Sequence, residues 1–309
     1  MHKMIVAASI SLFLASCQDG EKGGAKTRPT ETGSAVLTTD WPLSKEQAQS
    51  LQKEEAAKRR LNIVSPLDLG NNVQLDMVFV PPGTFPMGNS KVRTNPPRLV
   101  KISRGFFIST REITWTQFLQ VFPEAKLNRM AKDTLLHERK KNKDWGEYSA
   151  RISWQYADGF CSELARLKGA KSRLPTDAEW EYACRAGTAC DYGQWSSIDR
   201  SKAHVGTSVN DEGQTFNYER ASRSPGGKYA PNFWNIHDMM GVEEEWCQDR
   251  YTDLLDVGGK ASVDPFVKPI WGCLNVIRGG SWIRAKTVFD RDGDSARSCG
   301  IRLLVELAP

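Results

Sequence analysis

Between Gly187 and Ile270 the chain runs for about 80 residues through Gly, Asn, Asp, Ser and Trp with few regular periods, more irregular backbone than compact domains usually hold. Backbone polar groups in such a stretch still need partners, so it must be tied down by aromatic packing, disulfides, metals or capping side chains. The anchors exist. Ten Trp, with 39% hydrophobic and 26% charged residues, are globular values and exclude a disordered or fibrous chain. At 309 residues one large domain or two small ones would fit. No linker interrupts the sequence after Pro66, so a single domain over 66–309 is expected.

Regular elements are predicted on both sides of that stretch. "VQLDMVFVPPGTFPMG" reads as two strands around the Pro81-Pro82-Gly83 turn, and "LVKISRGFFIST" as a further strand pair. "WTQFLQVF" after Thr114 reads as a helix, as does Trp154 to Leu167, where Tyr156, Phe160, Leu164 and Leu167 recur at helical spacing. The best-marked helix follows Thr176-Asp177-Ala178-Glu179, a capping box after Pro175, with Trp180, Ala183 and Cys184 facing inward and Gly187 as its stop. Residues 44–65 open on a second capping box, Ser44 with Gln47, and predict a polar, mostly exposed helix with no chemistry of its own.

The N-terminus is a different kind of text. "MHKM" gives a positive start and "IVAASISLFLAS" an apolar run of signal-peptide length, with no second hydrophobic span after it. Leu14-Ala15-Ser16-Cys17 resembles the lipobox of bacterial lipoproteins, which implies that residues 1–16 are removed and Cys17 is lipidated. Gln18, standing where a retention signal would place Asp, points to the outer membrane and its periplasmic face. Residues 17–43 then form a flexible tether with almost nothing to bury.

In that oxidising compartment disulfides persist, and the six remaining cysteines (Cys161, Cys184, Cys190, Cys247, Cys273, Cys299) permit full pairing in an order that spacing does not fix. No C-x-x-C pair is present and the chain has only four His, which disfavours a zinc knuckle or a thioredoxin-like motif. The net charge of +5 is mild and its basic residues are interleaved with 37 acids, which argues against a nucleic-acid partner.

Several segments in fixed order carry a family resemblance: "MVFVPPGTFPMG", "FFISTREITWTQF", "SRLPTDAEWEYACRAGT", "NFWNIHDMMG", Glu245-Trp246, "RGGSW" (Arg278 to Trp282) and Gly300-Ile301-Arg302. Together they resemble the sulfatase-modifying-factor family, which contains the formylglycine-generating enzymes. The resemblance implies an α+β, C-type-lectin-like fold with little regular secondary structure. Beside it, the residues suggest roles of their own. Arg173, Glu179 and Glu181 can form ion pairs while Trp180 enters the core. The paired glycines after Arg278 permit positive φ or close backbone approach, Arg278 can tie loops together, and Ser281 with Trp282 would face a groove.

Family members that make formylglycine place two cysteines just beyond this block to bind copper(I), a soft ion that prefers sulfur. Run forward from Ser281, the match puts Arg284 and Phe289 at those positions, and neither can hold copper. Arg291 continues in step. The groove candidates are therefore Arg278, Ser281, Trp282, Arg284, Phe289 and Arg291, and the expected ligand is a peptide, a protein loop or a glycan, with a guanidinium suited to an anion or carboxylate. Cys299, close to a shortened connection, is expected to be a disulfide partner, with Cys184 as the candidate mate.

The resemblance also implies a structural calcium bound through Asn and Glu oxygens. Here Val242 has replaced the Asn, while Asp238, Glu243 and Glu245, with Glu244 and Asp249 nearby, could still supply hard oxygens. In the family's other calcium loop His204 stands where Asn is expected. No Gly-x-Ser-x-Gly elbow and no His-Glu-x-x-His motif occurs, and His137 lies in a charged segment read as an exposed loop or helix. Two functional classes follow: a binding module that has lost copper chemistry, and an oxidoreductase of the family acting on a peptide or protein.

Overall fold

The computed structural model describes residues 41–88, 97–190, 192–196, 201–203, 225–250, 262–268, 275–280, 286–288 and 298–307. Helix α1 (Lys45–Lys58) begins where the capping box places it: the Ser44 hydroxyl accepts from the Gln47 N–H at 3.2 Å, and the Gln47 side chain accepts from the Ser44 N–H at 2.8 Å. Most of its side chains face solvent, as expected, but Ala48, Gln52 and Ala56 recur at every fourth position and are buried. The Gln52 amide donates to Phe79 O at 2.7 Å, and the Trp234 indole donates to Ala48 O at 3.1 Å. Trp41, just before the helix, packs its ring 5.5 Å from Tyr182 and 5.8 Å from Phe85.

Strands β1 (Val64–Gly70) and β2 (Val73–Val80) form an antiparallel hairpin. Its turn residues Asn71 and Asn72 have φ of 50° and 62°, the left-handed pair that a tight hairpin requires and that Asn tolerates. Strands β3 (Gly83–Met87), β4 (Arg98–Ile102) and β5 (Phe106–Ser109) follow, then helices α2 (Trp115–Val121), α3 (Arg129–Lys141) and α4 (Trp154–Lys168). The remaining elements are β6 (Ser172–Arg173), α5 (Asp177–Arg185), β7 (Gly241–Arg250), β8 (Ser262–Val263), β9 (Asn275–Gly280), β10 (Lys286–Val288) and β11 (Leu304–Glu306).

Among the described residues three small sheets result, in the orders β1-β2-β5-β11-β6, β3-β4-β8 and β10-β9-β7. The predicted strand pair in "LVKISRGFFIST" exists as strands, but the two do not pair with each other: β4 joins β3, and β5 joins β2 and β11. Alternation along β2 divides the core. Val78 and Val80 pack with Phe85, Trp180, Tyr182 and Trp234, while Leu75 and Met77 pack with Trp115, Phe118, Phe160 and Trp246. The irregular region is held as its length demanded: Trp234 is fully buried 5.0 Å from Tyr182, and Asn232 donates to Ala183 O while accepting from the N–H groups of Trp234 and Ile236.

The predicted pairing of Cys184 with Cys299 is not made. Cys184 packs in the first half of the core and Cys299 in the second, and no disulfide joins them. Cys17 and Cys273 lie outside the described residues.

Candidate functional site

Helix α5 is the scaffold of the site. Its N-terminus is fixed by the Thr176 hydroxyl, which accepts from Glu179 N at 3.2 Å, while the Glu179 carboxylate accepts from Thr176 N at 2.8 Å. The helix ends with Ala186 at φ 45°, one residue before the expected stop at Gly187. Two antiparallel strands, β7 and β9, lie beside it, and Glu245 on β7 stands opposite Arg278 on β9. Opposite charges in register could pair directly; instead each goes to separate partners.

Glu245 is fully buried. Its carboxylate accepts from Arg302 Nε at 2.9 and 3.0 Å, from Arg302 Nη2 at 2.6 Å, and from the Trp180 indole at 2.6 Å. Arg302 spends its other donors on Ser109 O at 2.9 Å and His237 O at 3.1 Å. This centre ties β7, α5, β5 and the irregular region to the segment just before β11. Glu112 lies against it, and burial first, then the Glu245 charge, pushes its carboxyl well above the usual range despite Arg302.

Arg278 is also buried, at 1% exposure. Its Nε contacts Asp177 Oδ1, and its Nη2 lies 3.1 Å from Glu181 Oε2. Neither Nη1 nor Nη2 makes a hydrogen bond, and Glu181 Oε2 makes none either. Glu181 Oε1 accepts from Arg185 Nε at 2.9 Å and from Gly88 N at 2.7 Å. Against the burial that would raise it, Arg185 and Arg278 hold the Glu181 carboxyl below its usual range. The predicted pairing of Arg173 with Glu179 is present at 2.7 and 2.8 Å, but Glu181 has gone to Arg185 and Arg278. Gly279 has φ 86°, and a Cβ there would lie 2.9 Å from Glu243 O, so this position requires glycine.

Arg278 is thus an internal tie and presents no surface. Ser281, Trp282, Arg284, Phe289 and Arg291 lie outside the described residues, as does His204.

The carboxylates proposed for calcium are engaged otherwise. Both Glu245 oxygens are occupied by Arg302 and Trp180, and Glu243 Oε2 lies 3.2 Å from Arg151 Nε. Asp238 Oδ2 accepts from Gly227 N, and only its Oδ1 is buried without a hydrogen bond. Asp249 accepts from Val267 N at 2.9 Å and Asp177 N at 2.8 Å. Val242, at φ 57°, sits in a region a β-branched side chain rarely adopts and an Asn would tolerate. Among the described residues no three carboxylates, imidazoles or thiols converge as metal ligands would, so the set does not fit a calcium ion without displacing Arg302.

Buried thiols fit copper no better. Desolvation pushes the Cys184 thiol up to about 12 and raises Cys161 and Cys247 as well, which disfavours the thiolate that a metal needs.

The pattern of the sulfatase-modifying factor enzyme 1-like domain matches residues 69–307, which takes in every quoted block that carries the family resemblance. The chain belongs to this family. Among sulfatase-modifying factor relatives, the formylglycine-generating enzyme of Streptomyces coelicolor is 30% identical over 151 residues, 48% of this chain and 46% of that enzyme. Serine/threonine-protein kinase pkn1 of Chlamydia caviae is 32% identical over 133 residues, 42% of this chain but 18% of that protein. The chain therefore spans less than half the length of these curated relatives. The solved structure of Treponema denticola variable protein 1 aligns with a TM-score of 0.61 at 18% identity, covering 80% of this chain and 100% of that one. PvdO from Pseudomonas aeruginosa aligns at 0.51 and 20% identity, covering 79% and 98%. These likenesses establish the fold, the lectin-like α+β architecture with small sheets that the sequence predicted.

Glu112, Asp177 and Arg98 were not singled out from the sequence. Arg98 is drawn in by Asp177 and Glu181, although burial lowers its pKa. Glu112 and Asp177 had a signal in the quoted family blocks that contain them; Arg98 had none, because its charged partners come from a distant segment.

Proposed function

We propose that the chain is an envelope lipoprotein, exported by residues 1–16 and anchored through Cys17 at the periplasmic face of the outer membrane. In this reading its sulfatase-modifying-factor domain is a binding module and not a copper oxidase. It takes a peptide, protein loop or glycan in the groove that begins after Arg278-Gly279-Gly280. One observation carries the reading: the family frame runs through Arg278 to Trp282 with Arg284 and Phe289 standing where two copper-binding cysteines belong. The high thiol pKa values at Cys161, Cys184 and Cys247 support it, because none is poised to replace the missing pair.

No calcium is required by this reading, since the Arg302 guanidinium already supplies the positive charge beside Glu245. Among the described residues no helix is long and apolar enough to cross a membrane, which is compatible with attachment by acyl chains.

The test incubates purified protein with copper(I), oxygen and a cysteine-containing sulfatase-type peptide, and reads the peptide by mass spectrometry. The cysteine is expected to stay unconverted while the peptide or another partner still binds. Copper-dependent formylglycine formation would replace this reading with the oxidoreductase one, which the similarity to formylglycine-generating enzymes favours.

A further inference from the structure

We propose that α3 carries a surface that lays the domain against an anionic phospholipid bilayer. The interleaving of charge over the whole chain conceals a local excess: residues 124–171 hold eleven Lys and Arg against seven Asp and Glu, a net of +4 where the whole chain has +5. On α3 the buried residues are Leu135 and Glu138, which define its inward side. Arg139 also points toward the domain, paired with Glu124 at 2.8 Å and placed 4.7 Å over the Trp145 ring, so the helix has a fixed seat.

At about 100° per residue, the opposite arc carries Arg129, Met130, Leu136, Lys140 and Lys141. All five are exposed, as is His137 among them, and exposed Lys143 and Asp144 follow just past the helix end. Asp133 is the one acid on this arc, 4.0 Å from Arg129. Met130 and Leu136 stand in water at 46% and 45% exposure, at the two flanks of the cations.

Cations alone would suit any polyanion. Large apolar side chains placed among them suit a bilayer boundary, where the ammonium and guanidinium groups meet lipid phosphates and the apolar chains enter the acyl edge. The proposed anchor is within range: Cys17 and Trp41 are 24 residues apart, and an extended chain of that length reaches about 80 Å. The surface stands on α3 itself and does not need the acyl chain, so its fate is separable from that of the lipoprotein reading.

The test uses the processed chain from residue 17 with Cys17→Ser, which cannot be acylated. Its co-sedimentation with equimolar phosphatidylethanolamine and phosphatidylglycerol vesicles is compared with that on phosphatidylcholine vesicles. Binding to the anionic vesicles is expected, falling with added salt and about thirtyfold weaker in Lys140→Ala/Lys141→Ala. Met130→Ser/Leu136→Ser should also weaken binding while leaving its salt dependence in place, and circular dichroism checks that both variants fold. Absence of binding, equal binding to both vesicle types, or affinity unchanged in both variants overturns the proposal. Retention on a soluble polyanion without vesicle binding also overturns it and assigns the face to an acidic macromolecule.

Discussion

Two buried arginines, both in family blocks and both placed around α5, solve the same problem differently. Arg302 finds an acceptor for each nitrogen, with Glu245 gripped from two sides and two carbonyls taking the rest. Arg278 sits beside two carboxylates, yet two of its nitrogens make no hydrogen bond, and Glu181 Oε2 faces Nη2 at 3.1 Å as an ion pair without one. A buried ion pair contributes to specificity only when its remaining donors and acceptors are satisfied; otherwise desolvation is left partly uncompensated. The Arg302 centre therefore locks the fold. The Arg278 centre is the adaptable one, and it lies at the edge from which the proposed groove begins.

The strongest way to break that comparison is to remove Arg302. Arg302→Met leaves Glu245 buried with only the Trp180 indole, and strips acceptors at Ser109 and His237 of their donor. Loss of one partner from a buried, fully bonded pair costs about 3–5 kcal/mol, so urea unfolding should show a drop of that order, with Glu245→Gln restoring part of it in the double variant. A loss below 1 kcal/mol would place the lock elsewhere.

Arg278→Met should cost less, about 1.5–3 kcal/mol. Fewer hydrogen bonds are broken, Glu181 keeps Arg185 and the Gly88 N–H, and Asp177 is partly exposed and can turn to water. The same unfolding measurement ranks the two variants. An equal or larger effect at Arg278 would mean that its unmatched donors are satisfied in solution, and the contrast between the centres would disappear.

What the sequence disclosed and what it hid follow the range of the interaction. Capped helices were legible because Ser44 with Gln47, and Thr176 with Glu179, are signals within four residues. The fold class was legible from family blocks. Strand partners were not, since β4 and β5 are adjacent in sequence yet join different sheets. The inward face of α1 was muted because Ala48, Gln52 and Ala56 are small or polar, and it shows only against Phe79 and Trp234. Helix α3 was left open between loop and helix by its charges, although Asn128 caps it by accepting from Ala131 N at 2.9 Å. Glu245 with Arg302 spans 57 residues, and no local pattern predicts which of several carboxylates a distant guanidinium will choose.

The remaining contrast lies in the pH dependence of the Arg278 side, which is read as a slope and not as a loss at one pH. Asp249 bridges α5 to the segment before Lys268 by accepting from Asp177 N and Val267 N, and burial with the Asp177 charge beside it pushes its carboxyl from 3.8 up to about 7. The folded protein therefore binds this proton more tightly than the unfolded chain does, and Asp249 makes stability fall as pH rises from about 4 to about 7. Asp249→Asn loses one acceptor and should be slightly less stable at the acid end of the window, but the decline across it should flatten, because the group no longer titrates. Denaturant melts of both proteins at the two ends of the window isolate this term from the other carboxylates. Parallel curves would mean that Asp249 is ionised throughout, held by its two backbone N–H groups, and that the Arg278 side is as firmly set as the Arg302 centre.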